Sequence, residues 1–194
     1  MGEKSIQKKQ FILDTARQIF MNKGYNDVTM KDIVDACEIS RGGLYLYFDS
    51  TKDIFMEVLR MESKDTDDIF TNSISEDSSI TDILGIFLKE QKKEILSKKN
   101  NLTIATYEFF FKNKVAKKEN PIRNTFDCGV KVLAELIASG VESGELYCDD
   151  CMGAAKNIMF VLEGLKVSAQ TMGITEDQVD HQLLYIMQGL IIEE

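Results

Sequence analysis

Proline, histidine and long apolar runs are scarce in this sequence, which contains only Pro121 and His181 of the first two types in 194 residues. A helix that spans a bilayer needs about 20 consecutive apolar residues, and no run of that length is present. The polar start of the chain also lacks the apolar stretch of a signal peptide. These absences predict a cytoplasmic protein without a membrane partner.

Residue patterns typical of catalytic sites are missing as well. The chain has no glycine-rich phosphate loop, no His-Glu metal pair and no nucleophile-elbow motif. His181 lies in a segment with helical spacing of apolar residues, so we interpret it as an exposed helix residue rather than a general base. We predict that the protein is not an enzyme and has no cofactor.

Four cysteines in a chain expected to be cytosolic are predicted to be reduced. Cys37 falls in an apolar helical pattern and is interpreted as a core residue. Cys148 and Cys151 form a single Cys-x-x-Cys pair, which can be redox-active or half of a metal site. No second pair completes a metal site, and the intervening Asp149 and Asp150 are typical of a helix cap. We predict no bound metal and leave a redox role for this pair open.

The formal net charge of −9 is unevenly distributed. Residues 1–50 contain seven lysines and arginines and seven aspartates and glutamates, so their net charge is zero. The entire net negative charge of the chain therefore lies in residues 51–194. A neutral first quarter can carry a local basic face, while the acidic remainder repels phosphate and discourages indiscriminate binding to nucleic acid.

Apolar residues recur at spacings of three and four, and no segment alternates apolar with polar residues, which predicts an all-α protein. An apolar content of 44% is enough for a substantial core. The first helix is predicted over residues 7–22, ended by a glycine cap at Gly24. Thr29, with Asp32 three residues later, is predicted to cap a second helix from Met30.

A third, short helix is predicted after Ser40, with Leu44 and Phe48 on its inward face. A fourth starts near residue 51, a loop covers 73–79, and later helices are expected at about 80–97, 101–115, 122–141, 151–172 and 176–192. Apolar residues cover more than one face of segment 102–111, which predicts a helix surrounded by others.

Two short helices at a tight turn, supported by a longer one, form either a DNA-reading helix-turn-helix or an ordinary helical corner. The third helix favours DNA, because Arg41, Tyr45 and Tyr47 project hydrogen-bond donors outward. Gly42 and Gly43 each cost about 1 kcal/mol in a helix relative to alanine. A surface that must approach a phosphodiester backbone closely has a reason to accept that cost.

Four segments of the first 60 residues resemble the TetR family of regulators in order, spacing and residue type: 12–20 (ILDTARQIF), 23–25 (KGY), 28–34 (VTMKDIV) and 40–48 (SRGGLYLYF). The resemblance implies an N-terminal three-helix helix-turn-helix domain, 1–50, and a larger helical effector-binding and dimerisation domain, 51–194. It also implies a homodimeric repressor that binds a palindromic site in double-stranded operator DNA and is released by a small-molecule effector. The alternatives are an activator, or a ligand-sequestering or protein-binding helical module without specific DNA binding.

By the same resemblance, Thr29 donates to a phosphate and residues 41–47 form the recognition helix. Arg41 can bind guanine or a phosphate, and Tyr45 can pack on a thymine methyl group. Where the family usually has a phosphate-binding lysine, this chain has Thr51 followed by Lys52, and the sequence leaves open which one makes the contact. The predicted DNA-binding residues are Thr29, Lys31, Arg41, Gly42, Gly43, Tyr45, Tyr47, Thr51 and Lys52.

The last two predicted helices carry apolar stripes that can form either the core of one chain or an interface. The resemblance implies that these helices pair with those of a second copy in a four-helix bundle. The predicted interface residues are Ala155, Ile158, Met159, Leu162, Val179, Leu183, Ile186, Met187 and Leu190.

The resemblance also implies an effector pocket between the middle helices. The apolar and aromatic content, with nine methionines, favours a hydrophobic or aromatic effector over a highly charged one. For each candidate lining residue, a place in the core is the alternative interpretation, and the sequence favours it over a ligand contact. The candidates are Phe87, Gln91, Tyr107, Phe110, Phe111, Phe126 and Met159.

Overall fold

The computed structural model describes residues 2–72, 78–97 and 102–190, and for residues 63–72 it describes the backbone alone. The described residues form α-helices and one short 3₁₀ turn without an extended strand, which confirms the all-α prediction. The helices are α1 Glu3–Lys23, α2 Met30–Cys37, α3 Arg41–Tyr45, α4 Thr51–Asn72, α5 Ile80–Leu96, α6 Thr103–Lys112, α7 Pro121–Ser143, α8 Cys151–Thr171 and α9 Glu176–Gln188, with the 3₁₀ turn at Lys117–Glu119.

The first helix, α1, begins at Glu3, four residues earlier than predicted. Its first turn is largely polar, so apolar spacing could not reveal it. The predicted end is confirmed, because the Gly24 N–H donates to the Phe20 carbonyl at 2.9 Å and Gly24 has φ +77°. A Cβ atom at Gly24 would lie 2.6 Å from a carboxylate oxygen of Glu108. Both the backbone conformation and the contact therefore require glycine.

The predicted cap of α2 is confirmed as a reciprocal capping box. The Thr29 hydroxyl accepts from the Asp32 N–H at 3.3 Å, and the Asp32 carboxylate accepts from the Thr29 N–H at 2.9 Å. The Lys23 ammonium donates to Asp32 at 2.6 Å. The Lys23 ammonium and then the Thr29 hydrogen bonds hold the pKa of Asp32 well below its usual range, so this carboxylate is ionised at neutral pH.

The third helix, α3, is a five-residue segment capped by Ser40, whose hydroxyl accepts from the Gly43 N–H at 3.1 Å. Leu44 and Phe48 are buried, as predicted. The Ser50 hydroxyl accepts from the Asp53 N–H at 3.2 Å, which fixes the start of α4 at residue 51.

The later helices match their predicted positions with shorter or longer ends, and residues 73–77 of the predicted loop lie outside the described residues. The prediction that α6 is surrounded by other helices is wrong. Ala105 and Phe109 are buried, but Ile104 is half exposed and Phe111 is 89% exposed. Apolar residues on several faces of a helix show only that burial is favourable, and the tertiary fold decides which faces find a partner.

Packing divides the chain into two compact units: Met1–Asp65 with Lys99–Pro121, and Thr66–Lys98 with Ile122–Glu194. We call them the first and the second unit. The core of the first unit contains an aromatic cluster with contacting ring centroids 4.7 to 6.0 Å apart, formed by Phe20, Tyr25, Phe55 and Phe109. Packing does not test which residues bind DNA or effector, so the functional boundary at residue 50 stays a prediction.

The core of the second unit is formed by apolar side chains of α5, α7, α8 and α9. Within the described part of the chain, no helix is long and apolar enough to cross a bilayer.

Candidate nucleic-acid interface

A groove of about 440 Å³ lies between α2 and α3 in the first unit. Its six lining residues are Thr29, Met30, Lys31, Val34, Arg41 and Tyr45. Four of them were predicted to bind DNA from the sequence, and the structure brings them together although they come from two helices. Met30 and Val34 add apolar surface between the polar groups, so the groove offers both donors and a surface for a methyl group.

Arg41 and Tyr45 stand one turn apart on the exposed side of α3. The guanidinium carbon of Arg41 lies 5.4 Å from the centroid of the Tyr45 ring, within the range of a cation–π interaction. Because Leu44 of the same helix is fully buried, the side of α3 that carries Arg41 and Tyr45 faces outward. A guanidinium restrained by an aromatic ring can donate to a guanine edge or a phosphate, and the ring can pack on a thymine methyl group.

The Thr29 hydroxyl already forms hydrogen bonds in the cap of α2. Its hydroxyl donates its only proton to the Asp32 carboxylate and accepts from the Asp32 N–H. A hydroxyl has one proton to donate. The predicted donation from Thr29 to a phosphate therefore requires the hydroxyl to turn away from Asp32.

The two glycines of α3 differ in their surroundings. A Cβ atom at Gly42 would have no neighbour within 4 Å, so no contact with the described residues requires glycine there. A Cβ atom at Gly43 would lie 3.1 Å from the capping oxygen of Ser40, which explains part of the preference at that position.

Tyr47 and Lys52 do not line this groove but a second cleft of about 400 Å³ in the same unit. Tyr47 is half-buried, and its hydroxyl accepts from the Ser5 hydroxyl at 3.4 Å. Thr51 is the first residue of α4 and is half-buried, whereas Lys52 is exposed. The predicted DNA-binding residues are thus divided between two surfaces of the first unit.

Sequence reasoning missed Leu46, which is 83% exposed directly after α3. A large apolar side chain at the surface, next to the exposed Tyr45, is a candidate for contact with a base methyl group. The signal was available, because Leu44 and Phe48 point inward and the position between them must project outward.

The predicted effector residues do not gather in one unit. Phe87, Phe126 and Met159 are half-buried against the core of the second unit, and the Phe126 and Phe160 ring centroids lie 4.9 Å apart. Gln91 is half-buried on α5. The remaining three residues belong to α6 in the first unit: Tyr107, the core-packed Phe110 and the exposed Phe111.

The predicted interface stripes of α8 and α9 lie mostly inside the second unit. Met159 and Met187 are half-buried, and the other seven residues are buried, namely Ala155, Ile158, Leu162, Val179, Leu183, Ile186 and Leu190. A side chain buried against its own chain has no surface left for a partner. Apolar spacing identifies a face of a helix, but it does not tell which partner covers that face.

The cysteine predictions can be compared directly with the fold. Cys37 is buried, as expected, and burial raises the pKa of its thiol. Asp150 caps α8 by accepting from the Gly153 N–H at 2.8 Å, which confirms the predicted cap. The Cys151 sulfur lies 4.0 Å from the Cys148 carbonyl oxygen. Among the described residues, no group of three or more histidine, cysteine, aspartate or glutamate side chains is placed to hold a metal ion.

Three N-terminal helices with an exposed, donor-lined groove define a helix-turn-helix protein. Residues 12–58 match the family described as bacterial regulatory proteins, tetR family, and residues 83–180 match the tetracyclin repressor-like C-terminal domain. The chain belongs to the TetR family of transcriptional regulators.

Similar proteins include the HTH-type transcriptional regulator YfiR of Bacillus subtilis, 26% identical over 137 residues, which are 69% of this chain and 65% of YfiR. The regulator QacR of Staphylococcus aureus is 39% identical over 54 residues, which are 28% of this chain and 29% of QacR. In both, the match covers less than two thirds of the relative. A regulator from Saccharomonospora viridis, solved in complex with choline, has a TM-score of 0.82 at 18% identity, covering 96% of this chain and 99% of that chain. This last likeness shows the fold alone.

Proposed function

We propose that the protein is a repressor that binds a palindromic operator as a homodimer and is released by a small hydrophobic or aromatic effector. The groove between α2 and α3 carries this proposal, because it collects Lys31, Arg41 and Tyr45 around an apolar strip at the exposed face of a short helix. Cations and donors beside a methyl-sized apolar surface match the major-groove edges of base pairs and their phosphates.

Dimerisation is supported by the outward faces of α8 and α9, not by the buried stripes. Phe160 on α8 and Tyr185 on α9 are each 65% exposed, and Leu184 is half exposed. Gly164 lies exposed inside α8, and a Cβ atom there would have no neighbour within 4 Å. A helical glycine costs about 1 kcal/mol relative to alanine, and the close approach of a second copy gives a reason for it.

Two recognition helices related by a two-fold axis enter successive major grooves, about 34 Å apart, which makes the operator palindromic. An effector releases the DNA when it favours a state in which this spacing is wrong, with a typical coupling of about 1–3 kcal/mol. Helix α4 runs continuously from the first unit into the second and is the proposed lever. Phe87, Gln91, Phe126 and Met159 remain the proposed effector contacts.

The test is selection of duplexes from a random DNA pool by the purified protein at about 150 mM salt, where exposed charges are screened beyond about 8 Å. We expect recovery of a two-fold symmetric sequence. The double variant Arg41→Ala, Tyr45→Ala serves as the control and should recover no motif. If the unaltered protein also recovers none, the alternative of a helical module without specific DNA binding replaces the repressor.

A further inference from the structure

The fold separates the seven lysines and arginines of residues 1–50 into paired and unpaired groups. Three form ion pairs with nitrogen–oxygen distances of 2.6 to 2.8 Å: Lys9 with Glu57, Arg17 with Glu62 and Lys23 with Asp32. The other four form no ion pair with any residue that the structure describes: Lys4, Lys8, Lys31 and Arg41. These four therefore carry the positive charge of residues 1–50 that no described carboxylate neutralises in an ion pair.

Lys31 and Arg41 border the groove between α2 and α3 and already belong to the proposed operator surface. Lys4 and Lys8 lie instead on the first two turns of α1, and both are exposed. No motif of the helix-turn-helix assigns them a role, and the sequence gives no reason to single them out. Their position relative to α3 is a result of the tertiary fold.

The start of α1 lies beside α3 and the turn that follows it. The Lys8 ammonium lies 3.8 Å from the position that a Cβ atom at Gly43 would take. On the preceding turn of α1, the Ser5 hydroxyl donates to the Tyr47 hydroxyl at 3.4 Å. The first two turns of α1 therefore border the recognition helix.

Lys4 and Lys8 are four residues apart and so lie on one face of α1. The neighbouring Lys9 points elsewhere, because its ammonium binds Glu57 at 2.8 Å and lies 5.6 Å from the Phe48 ring centroid. Like charges four residues apart on a helix repel each other. Among the described residues neither lysine has an ion-pair partner, whereas a row of phosphates would neutralise both.

We infer that Lys8 and Lys4 bind phosphodiester oxygens of the operator and extend the DNA interface from α2 and α3 onto α1. The inference rests on the proposed function, since it names a further part of the same DNA-binding surface. Lysine acts here as a point charge on a flexible stem, so these contacts strengthen binding to every sequence and select none. Gly43 leaves the space beside the Lys8 ammonium unfilled.

Salt dependence of DNA binding provides the test, because each phosphate contact releases counterions. Fluorescence anisotropy measures the affinity for the selected operator and for a scrambled duplex, between about 50 and 300 mM salt. The variants are Lys8→Gln, Lys4→Gln, Lys8→Glu and the charge-retaining Lys8→Arg. Lys118→Gln is the matched control, since Lys118 is an exposed lysine in the 3₁₀ turn of the same unit.

For Lys8→Gln we expect the slope of log affinity against log salt to fall by about 0.9 per lost contact, hence about 1.8 in a dimer. The operator and the scrambled duplex should weaken by the same factor, Lys8→Glu should weaken both further, and Lys8→Arg should keep the original slope. Equal melting temperatures of all variants show that folding is unchanged.

Slopes for Lys8→Gln and Lys4→Gln equal to that of Lys118→Gln, with operator binding intact, would overturn the inference but leave the proposed function standing. Absence of salt-dependent binding by the unaltered protein would instead remove the proposed function itself.

Discussion

At the scale of single residues, Arg41 has the clearest separable role, because its guanidinium lies against Tyr45 and forms no ion pair with the described residues. We predict that Arg41→Ala weakens binding to the selected operator by about 1–3 kcal/mol relative to a scrambled duplex. Arg41→Lys keeps the charge but loses the bidentate fork, so it should behave like alanine if Arg41 reads a base. Competition binding with both duplexes measures the difference. Equal weakening of both duplexes would reduce Arg41 to a phosphate contact.

Asp32 connects the cap of α2 to the end of α1 through Thr29 and Lys23. We predict that Asp32→Asn lowers the free energy of unfolding at pH 7 by about 1 kcal/mol. The amide oxygen can still accept from the Thr29 N–H, but the charge that binds the Lys23 ammonium and strengthens the capping box is lost. Urea unfolding followed by circular dichroism measures this change. Lys93→Gln is the control, since the exposed Lys93 pairs with exposed Glu90 on the same helix and its loss should change stability little.

The variant Asp32→Asn also tests how the free energy of unfolding depends on pH. The Lys23 ammonium and the Thr29 hydrogen bonds lower the pKa of Asp32 in the folded chain, so the folded state favours the ionised form. The stabilisation is fully present above the unfolded pKa of about 3.9 and is lost as pH falls below it. The gap in unfolding free energy between wild type and Asp32→Asn should therefore shrink between pH 7 and pH 3. A constant gap would show that the charge of Asp32 contributes nothing.

At the scale of elements, α3 is shorter and richer in glycine than stability alone favours. Because a Cβ atom at Gly42 meets open space, Gly42→Ala should stabilise the folded chain by up to about 1 kcal/mol. The same methyl group should weaken operator binding if DNA approaches α3 closely at this point. Gly85→Ala on α5 is the matched control, since Gly85 is also helical with no neighbour within 4 Å and lies in the second unit.

Thermal unfolding and operator affinity are measured for both glycine variants. Stabilisation of Gly42→Ala with unchanged affinity would mean that the backbone of α3 stays away from the DNA. Weaker binding of Gly85→Ala would show that the effect is not local to α3.

The elements also show where periodicity and capping are reliable. Thr29, Ser40 and Asp150 each start a helix as predicted, because a cap joins groups only three residues apart. The degree of burial of α6 was predicted wrongly, because the exposure of Phe111 depends on segments far away in the sequence. The early start of α1 was missed because its first turn carries little apolar signal.

At the scale of the whole molecule, the proposed dimer depends on the outward faces of α8 and α9. We predict that Phe160→Glu combined with Tyr185→Glu yields a monomer, because two exposed aromatic rings are replaced by charges at the proposed interface. Sedimentation velocity measures the mass of the variant against that of the unaltered protein. Phe111→Glu, at the exposed aromatic residue of α6 in the first unit, should leave the mass unchanged. A variant that keeps its dimeric mass would place the interface elsewhere.

Most of the candidate DNA surface could be predicted from the sequence, because Arg41 and Tyr45 are one turn apart and Thr29 and Lys31 adjoin the start of α2. Their convergence on a single groove required only the short turn between two helices. Leu46 and Lys8 were missed for different reasons. Leu46 could have been found from the inward positions of its neighbours, whereas the proximity of Lys8 to Gly43 joins residues 35 positions apart.

The sequence by itself determined the helical class, the caps and the helix-turn-helix, because these follow from interactions between residues a few positions apart. Tertiary structure alone decided that the stripes of α8 and α9 fill the core, that Lys9 pairs with Glu57 while Lys8 lies beside Gly43, and that Phe111 stays exposed. Each of these outcomes is a competition between surfaces or charges from distant segments. Spacing along one helix carries no information about which of those partners is present.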